Sequence, residues 1–338
     1  MSAILERVTG PAIWSGQDFK KDDNWIFRLS PSDIKEIDKA LGIAKISSTP
    51  IEELTPNHFP LPCLGKRLLA LKNEIENGRG FAVIRGIPVE NYDNYECKIL
   101  SWGLCIYFGK GMQQSTQGDW INHVIDLVDV SSTTDPDLAH VVRRKELRYS
   151  HKGGELRWHT DTTDIIGLFC IKTAKSGGNS RLASAGMIHN LILENDPKYL
   201  DPLYRGYYYM SLSDDDESGV PRVSDQRIPV FSRSEGNISF YYIPQVIERA
   251  IDRAGITYSR AENKARSLIQ RTADLPGVAL EFMLEPGDLE IINNRTVMHS
   301  RQEYEDYSEL ENRRHLLRLW MATTPAMMTK TLRTPADL

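Results

Sequence analysis

The stretch EPGDLEIINNRTVMHSR, residues 285–301, combines a tight turn, a short apolar strand, a second loop and a histidine, His299. Proline, glycine and aspartate in succession favour a turn that fixes where the following strand begins. Because that strand begins at a fixed position, the loop after it and His299 are placed reproducibly. The stretch therefore predicts a strand-and-turn framework in which His299 can serve as a ligand.

Similar strand-like runs recur through the second half of the chain, each bounded by turn residues such as Gly177 and Gly178. The runs occupy residues 165–174, 180–185, 206–212, 227–231, 238–243, 278–284, 289–294 and 314–322. Many short strands with turn signals between them predict a sandwich or a barrel. Helical patterns are found at 31–43, 64–78, 92–108, near 186–200 and near 244–272, and a buried strand is expected at 81–84.

Composition limits the classes of partner. The chain has 338 residues, 41% of them hydrophobic, which suffices for one large core. Its net charge of −5 and its lack of a basic block argue against nucleic acid and anionic membranes. No run approaches the roughly 18 apolar residues that a membrane helix needs. Four scattered cysteines predict reduced thiols, and no secretory leader is recognisable, so we expect a cytoplasmic protein.

An H-x-D triplet, His159 and Asp161, lies in RWHTDT, residues 157–162. On an extended strand, residues i and i+2 point to the same side, so both side chains can reach one ion. Two histidines and one carboxylate leave three positions open, as in non-haem Fe(II) oxygenases. The triplet alone is weak evidence, because roughly one is expected by chance in a chain of this composition and an exposed polar strand would also explain it.

The segment RRHLLRLW, residues 313–320, places two of its three arginines on one face of an apolar strand. With a period of two, Arg314, Leu316, Arg318 and Trp320 share one face. Buried arginines need anions, and a dicarboxylate cosubstrate is one anion that arginine binds through paired hydrogen bonds. Ion pairs with the protein's own Asp and Glu residues are the alternative at this point.

Taken together, these segments resemble the taurine dioxygenase-like (TauD/TfdA) family of Fe(II)/2-oxoglutarate oxygenases. The matching pieces occur in the family's order: residues 78–89, WHTDTTD (158–164), GGNS (177–180), residues 286–301 and residues 313–320. The resemblance covers roughly residues 10 to 325. It implies an α+β fold with a double-stranded β-helix core (jelly-roll, clavaminate-synthase-like) and flanking helices. We expect a single catalytic domain over 1–338, with a mixed α/β elaboration at 1–110, the jelly-roll core at 111–325 and a tail at 326–338.

The resemblance also implies roles for individual residues. His159, Asp161 and His299 would be the catalytic facial triad that binds the metal. Arg314 would pair with the distal carboxylate of 2-oxoglutarate, and Ser180 would donate a hydrogen bond to it. Arg318 would lie beside that carboxylate and could meet an anionic group of the substrate. An acidic insert at 302–312 leaves Arg313 as an alternative anchor, although strand parity favours Arg314.

The implied function is the oxidation of a small organic substrate, by hydroxylation, with Fe(II), 2-oxoglutarate and O₂ as cofactor and cosubstrates and with release of succinate and CO₂. Desaturation or ring closure would use the same chemistry. Glu155 and Trp320 are candidate substrate contacts, and a glutamate at 155 beside Arg318 would suit an amino acid or a related zwitterion. A solvent-exposed loop position is the alternative for Glu155.

Two other functions are compatible with parts of the pattern. A cupin-like metalloenzyme that does not use 2-oxoglutarate would need the metal ligands but neither the arginines nor Ser180. A non-catalytic jelly-roll binding module would need no intact triad. Whichever function holds, the oxygenase included, we expect a small-molecule substrate or ligand and neither nucleic acid nor a membrane as partner; a homo-oligomer would be unremarkable for a chain of this size.

Overall fold

Two β-sheets face each other, and helices cover the outer face of each sheet. The structure, a computed structural model, describes residues 6–115, 118–143, 149–210, 223–234 and 237–324. The strands are β1 (Ile26–Arg28), β2 (Phe81–Arg85), β3 (Lys110–Met112), β4 (Ile121–Val124), β5 (Leu156–His159), β6 (Ile165–Lys172), β7 (Ser176–Gly177), β8 (Ser180–Ser184), β9 (Phe231–Ser234), β10 (Asn237–Phe240), β11 (Leu280–Phe282), β12 (Leu289–Asn293), β13 (Val297–Arg301), β14 (Tyr304–Glu305) and β15 (His315–Ala322). The helices are α1 (Pro31–Ile46), α2 (Leu64–Asn77), α3 (Asn94–Cys105), α4 (Pro136–Val142), α5 (Ala185–Asn195), α6 (Leu200–Arg205), α7 (Pro244–Ala254) and α8 (Arg260–Ala273).

The larger sheet has the strand order β1-β2-β12-β6-β15-β3, and β4 also pairs with β15. The smaller facing sheet has the order β11-β8-β13-β5. Strands β9 with β10, and β7 with β14, form separate two-stranded ribbons in the described part of the chain. Two sheets whose strands interleave along the sequence are the jelly-roll arrangement that the sequence predicts.

Strand β12 illustrates why both faces of the larger sheet are buried. Leu289 and Ile291 point into the apolar cluster that α1, α2 and α3 build on the outer face. Ile292 points the other way, into the space between the sheets, and Glu290 lines a cavity there. Because both faces are covered, the strand is apolar on both sides except at Glu290 and the terminal Asn293, and Glu290 is its one charged residue.

The outer face of the smaller sheet packs against α5, α6, α7 and α8. Trp158 of β5 and Met298 of β13 join the cluster that holds Ile269 of α8. The sequence predicts one helical insert at 244–272, but the structure has two helices. The first ends at Gly255, whose φ of +67° is a left-handed conformation that favours glycine, so the chain turns there before α8 begins.

Two predicted strands are wrong. Within the described residues, the runs at 206–212 and 227–231 contribute the isolated bridges Tyr207–Ile228 and Met210–Val223, and the second run adds only its last residue, Phe231, to β9. Side chains replace the ladder partners there: the backbone N–H of Tyr208 donates to the hydroxyl of Tyr258 at 2.8 Å. The strand-like pattern therefore reflects aromatic packing against helices. The acidic loop predicted at 211–226 lies mostly outside the described residues, as does the predicted tail at 326–338.

The predicted boundary at residue 110 crosses the larger sheet. Strand β2 pairs with β12, and β1 pairs with β2, so the first part of the chain supplies two strands of that sheet.

Within the described ranges, no helix combines the length and apolar character needed to span a membrane.

Candidate metal and cosubstrate site

The pairing of β5 with β13 sets His159 opposite His299. Their ring centroids are 4.2 Å apart, and Nε2 of His159 lies 3.9 Å from Oδ1 of Asp161. One ligand atom from each of these three buried residues lies within 4.8 Å of the other two. That spacing allows one ion to contact two imidazole nitrogens and one carboxylate oxygen.

Asp161 is not on the strand, contrary to the extended H-x-D pair that the sequence suggests. Strand β5 ends at His159, and the next two backbone N–H groups find partners outside the sheet. The N–H of Thr160 donates to the carbonyl of Tyr242 at 2.8 Å, and the N–H of Asp161 donates to Oδ1 of Asn294 at 3.0 Å. These two bonds hold the loop that carries Asp161 over the cavity.

The hydrogen bonding of His159 determines which of its nitrogens faces the cavity. Its Nδ1 lies 2.8 Å from the carbonyl oxygen of Arg157, which can only accept, so Nδ1 carries the hydrogen. The lone pair is then on Nε2. Burial lowers the pKa of His159, and burial next to His159 lowers the pKa of His299 to about 3. Both imidazoles are therefore neutral at physiological pH, as metal binding requires.

Two side chains of β15 hold the carboxylate of Asp161. Nη1 of Arg318 lies 3.1 Å from Oδ2, and Nε1 of Trp320 donates to the same oxygen at 2.9 Å. Burial raises the pKa of Asp161, but the Arg318 cation, the two histidines and Trp320 bring it below its usual value. Arg318 is itself fixed by Gln114, whose Oε1 accepts from Nε at 2.9 Å.

A basic end of the same cavity lies beyond the histidines. The cavity is lined there by Ser180, Glu290, Arg301 and Arg314. In the described part of the chain, Nη1 of Arg314 has no hydrogen-bond partner although it is buried. The guanidinium of Arg314 lies 5.5 Å from the centre of the Tyr304 ring. A buried cation without a partner calls for an anion in the adjoining space.

Arg313 faces away from this cavity. Its two terminal nitrogens bind the carboxylate of Asp129 at 2.6 and 2.8 Å. Arg313 thus has a partner from the protein itself. Of the two arginines for which such an ion pair was the alternative, Arg314 and Arg318, it is Arg318 that also makes one, with Asp161. Arg314, Leu316 and Arg318 line the cavity together, in keeping with their shared strand face.

Glu155 lies outside the cavity wall. Its side chain is 58% exposed, and its nearest ion-pair contact is a 4.0 Å approach to Nη1 of Arg181. Trp320 is buried beside Asp161 and is therefore placed to orient that candidate metal ligand. The aromatic run at 207–209 packs in the helical cluster through Tyr207 and Tyr209.

Sequence reasoning missed two residues of the basic end, Arg301 and Glu290. Arg301 follows His299 by two residues on β13, so strand parity could have placed both on one face. Nη2 of Arg301 donates to the carbonyls of Lys152 and Gly154, at 3.0 and 2.9 Å. Glu290 is the single charged residue of LEIIN, and a lone charge in an apolar strand was the available signal.

The donor set fits Fe(II) with 2-oxoglutarate. Two imidazoles and one carboxylate could occupy one face of an octahedral ion, and the buried Nη1 of Arg314, which has no hydrogen-bond partner among the described residues, lies farther along the same cavity. Apolar side chains line the space between them and restrict water: Leu156, Ile166, Leu168 and Leu316.

The family model described as "Taurine catabolism dioxygenase TauD, TfdA family" matches residues 48–320. FR-33289 synthase of Streptomyces rubellomurinus is 26% identical over 325 residues, which cover 95% of this chain and 92% of that protein.

Asparagine oxygenase and the oxygenase OrfP are among the solved structures that share the fold. Asparagine oxygenase, in complex with Fe(II), 3-hydroxyasparagine and succinate, superposes with a TM-score of 0.68 at 15% identity and covers 93% of this chain and 98% of its own. The non-haem iron oxygenase OrfP, in complex with Fe, succinate and 3-hydroxy-L-Arg, gives a TM-score of 0.64 at 12% identity, with 92% and 98% coverage. At these identities the likeness shows the jelly-roll fold.

Proposed function

The chain belongs to the TauD, TfdA family and is a non-haem Fe(II)- and 2-oxoglutarate-dependent dioxygenase, and on that premise we propose which residues perform the reaction. His159, Asp161 and His299 bind the iron, and Arg314 with Ser180 anchors the distal carboxylate of 2-oxoglutarate. The observation that carries this proposal is one cavity lined both by the two histidines and by Arg314, whose buried Nη1 has no hydrogen-bond partner in the described ranges.

Each residue has a task that follows from its contacts. The carbonyl of Arg157 keeps the hydrogen of His159 on Nδ1 and leaves Nε2 for the metal. Arg318 and Trp320 orient the carboxylate of Asp161. When bound, Fe(II) activates O₂ while 2-oxoglutarate is decarboxylated to succinate and CO₂, which supplies the oxidising power.

The visible spectrum tests the assignment. Fe(II) and then 2-oxoglutarate are added to the protein under argon, and the weak charge-transfer band of a chelated keto acid is recorded. We expect the band in the wild type and in Arg313→Met, whose guanidinium serves Asp129. In Arg314→Met, the 2-oxoglutarate concentration needed for half of the band should rise roughly a hundredfold, because a buried ion pair is lost.

Two outcomes would contradict the proposal. If Arg313→Met abolished the band while Arg314→Met kept it, the anchor would be misassigned. If His159→Ala and His299→Ala bound Fe(II) as tightly as the wild type, the iron would lie elsewhere.

We further infer that the substrate is an amino acid or a related zwitterion, which is hydroxylated. Support comes from asparagine oxygenase and OrfP, which hold hydroxylated amino acids. Arg318 lies at the metal ligand Asp161, where a substrate carboxylate could meet it. Glu155 is the proposed ammonium contact, although it is exposed here and would have to turn inward on binding.

A screen of small molecules checks the substrate class, because substrate binding next to the iron shifts the same band. We expect shifts with amino acids and not with their decarboxylated or N-acetylated analogues. Glu155→Gln should then weaken binding of the amino acid. Unchanged binding by this variant would remove Glu155 from the site, and shifts with uncharged compounds alone would contradict the zwitterion class.

We also propose that residues 1–338 act as one catalytic domain and that the protein works in the cytoplasm. Support for the compartment comes from four free cysteines, three of them buried. Localisation of a tagged chain tests the compartment, and light scattering tests whether the protein is a homo-oligomer.

A further inference from the structure

Glu290 is a buried carboxyl group that the proposed mechanism does not use. It is 1% exposed and lies on β12, on the face that borders the cavity. Its Oε2 accepts a hydrogen bond from Oγ of Ser180 at 3.1 Å. Its Oε1 is buried and has no partner among the described residues. Ser180, the proposed donor to the cosubstrate, thus donates its single hydroxyl hydrogen to Glu290 in this structure.

The charges around Glu290 come from several elements. Arg314 and Arg301 line the same cavity end, and burial lowers the pKa of Arg301 only to about 10, so Arg301 stays cationic. Asp288, in the turn just before β12, is already neutralised by Arg85, whose Nε and Nη2 bind it at 2.9 and 2.6 Å.

The remaining neighbours are neutral. Burial raises the pKa of the Cys170 thiol to about 12 and the pKa of the Tyr304 phenol above its usual value. The partners of Glu290 in the two adjacent strands are Leu168 and Val83, which are apolar. Glu290 therefore shares its site with two cations and with whatever anion enters the cavity.

Burial raises the pKa of Glu290 to about 7, against the opposing effects of Ser180 and Arg314. Near neutral pH, its acid and carboxylate forms are thus both populated in the free protein. A second carboxylate that enters the same small site disfavours the charged form and raises this pKa further. The protonated form can also donate a hydrogen bond, which the carboxylate cannot.

We propose that Glu290 binds the cosubstrate as a neutral carboxylic acid, so that binding of 2-oxoglutarate takes up about one proton from solution. The O–H of Glu290 donates to Oγ of Ser180, and the hydroxyl hydrogen of Ser180 turns to the distal carboxylate of 2-oxoglutarate. No covalent bond changes. This inference rests on the proposed site, in which Arg314 and Ser180 anchor that carboxylate.

The direction of the pH dependence follows from the linkage between proton and ligand. Binding favours protonated Glu290, so affinity is highest at low pH and falls as pH rises through the pKa of the free protein. With a bound-state pKa some two units higher, the Kd for 2-oxoglutarate should rise roughly tenfold between pH 7 and pH 8.5.

Calorimetry measures the proton directly. 2-Oxoglutarate is titrated into the Fe(II)-loaded protein under argon at pH 8, in buffers that differ in ionisation enthalpy. The dependence of the observed heat on that enthalpy gives the number of protons taken up. We expect roughly 0.5 to 1 for the wild type. Glu290→Gln should take up close to none and bind with a Kd that varies less than about twofold over this pH range, because its amide N–H donates to Ser180 at every pH.

Two controls isolate the interaction. Glu305→Gln, at an exposed carboxylate paired with Lys175, should keep the wild-type proton uptake. 2-Oxoglutaramate, which carries a neutral amide in place of the distal carboxylate, should bind the wild type without taking up a proton. Difference infrared spectra of the wild type should also show the carbonyl stretch of a carboxylic acid on binding of 2-oxoglutarate, which tests the idea even if Glu290→Gln does not fold.

The outcomes separate this inference from the site assignment. Binding of 2-oxoglutarate to the wild type without proton uptake, or equal uptake in Glu290→Gln, would overturn the role of Glu290 alone. Tight binding of 2-oxoglutarate that Arg314→Met leaves unchanged would overturn the anchor as well.

Discussion

The indole nitrogen of Trp320 donates a 2.9 Å hydrogen bond to the same carboxylate oxygen of Asp161 that Arg318 contacts at 3.1 Å. Trp320 thereby connects β15 of the larger sheet to the loop that follows β5, the edge strand of the smaller sheet. A ligand on a loop depends on such partners for its orientation, because no ladder hydrogen bonds fix it.

Replacement of Trp320 by Phe should therefore weaken iron binding. The ring still fills the space, but Asp161 loses one of its two orienting partners. We expect the affinity for Fe(II) to fall roughly 10- to 100-fold, as measured by anaerobic titration. Trp14→Phe is the matched control, because it removes an indole hydrogen bond of 2.8 Å, to Arg79, at a site that does not line the cavity. Equal losses in the two variants would contradict a specific role for Trp320.

The side chain of Gln270, on α8, provides the hydrogen bonds that a neighbouring strand would otherwise make to the edge strand β5. Its side-chain amide accepts from the N–H of Trp158 at 3.1 Å and donates to the carbonyl of Trp158 at 2.8 Å. Gln270→Leu should leave both backbone groups unsatisfied and cost about 1–3 kcal/mol in the free energy of unfolding.

Because Trp158 precedes His159, Gln270→Leu should also weaken Fe(II) binding, by roughly tenfold. Urea unfolding and metal titration measure the two effects. Ser267→Ala, an exposed change on the same helix, should alter neither. If the metal affinity stayed at the wild-type value while stability fell, β5 would hold His159 without help from α8.

The ion pair between Glu262 and Arg227 predicts a dependence of stability on pH. Burial alone would raise the pKa of Glu262, but hydrogen bonds from Arg227 and Ser259 lower it to about 2. A lowered carboxyl pKa stabilises the fold above the unfolded value near 4.5, and this contribution disappears as the pH falls toward 2.

Glu262→Gln should therefore lower the free energy of unfolding by about 1–3 kcal/mol at pH 7 and by much less at pH 3. Urea unfolding at both pH values measures this. Glu248→Gln breaks an exposed pair with Arg157 and should cost less than about 1 kcal/mol at either pH. An equal penalty for Glu262→Gln at pH 7 and pH 3 would show that its charge is not the source.

Gly287 in the turn before β12 has a φ of +87°, and a Cβ there would lie 1.9 Å from the carbonyl oxygen of Ile87. Gly287→Ala should be destabilising by more than about 2 kcal/mol, since both the backbone conformation and the contact are unfavourable. Gly255→Ala has the unfavourable φ but no atom within 4 Å, so it isolates the cost of the backbone conformation. Equal losses in thermal stability would mean that Ile87 moves away freely.

Much of the fold could be predicted because the decisive signals are local. Turn residues bound short apolar runs, and the period of two assigned Arg314 and Arg318 to one face of β15. The family assignment then confirmed the predicted fold, iron and 2-oxoglutarate, and it excludes the cupin-like and non-catalytic alternatives. The roles of the individual residues remain predictions.

What the sequence could not supply were relationships between distant segments. The N–H of Asp161 donates to Asn294, and the edge strand β5 is held by Gln270. In each case the two partners are more than a hundred residues apart in the sequence. The tyrosine run at 207–209 has the composition of a strand, but helices bury it, so composition alone misled. The contact between Glu290 and Ser180 could not be predicted either, because it depends on the position of β8 relative to β12 in the fold.

The in-register pairing of β8 with β13 sets Leu182 beside His299 and Ser180 beside Arg301. One two-residue step along these strands, about 7 Å, therefore separates the metal end of the cavity from its carboxylate end. On the proposed assignment, this two-residue spacing of the backbone sets the distance between the two ends of 2-oxoglutarate that the protein binds. On that assignment, a keto diacid one carbon shorter or longer than 2-oxoglutarate would satisfy one end of the cavity at the expense of the other.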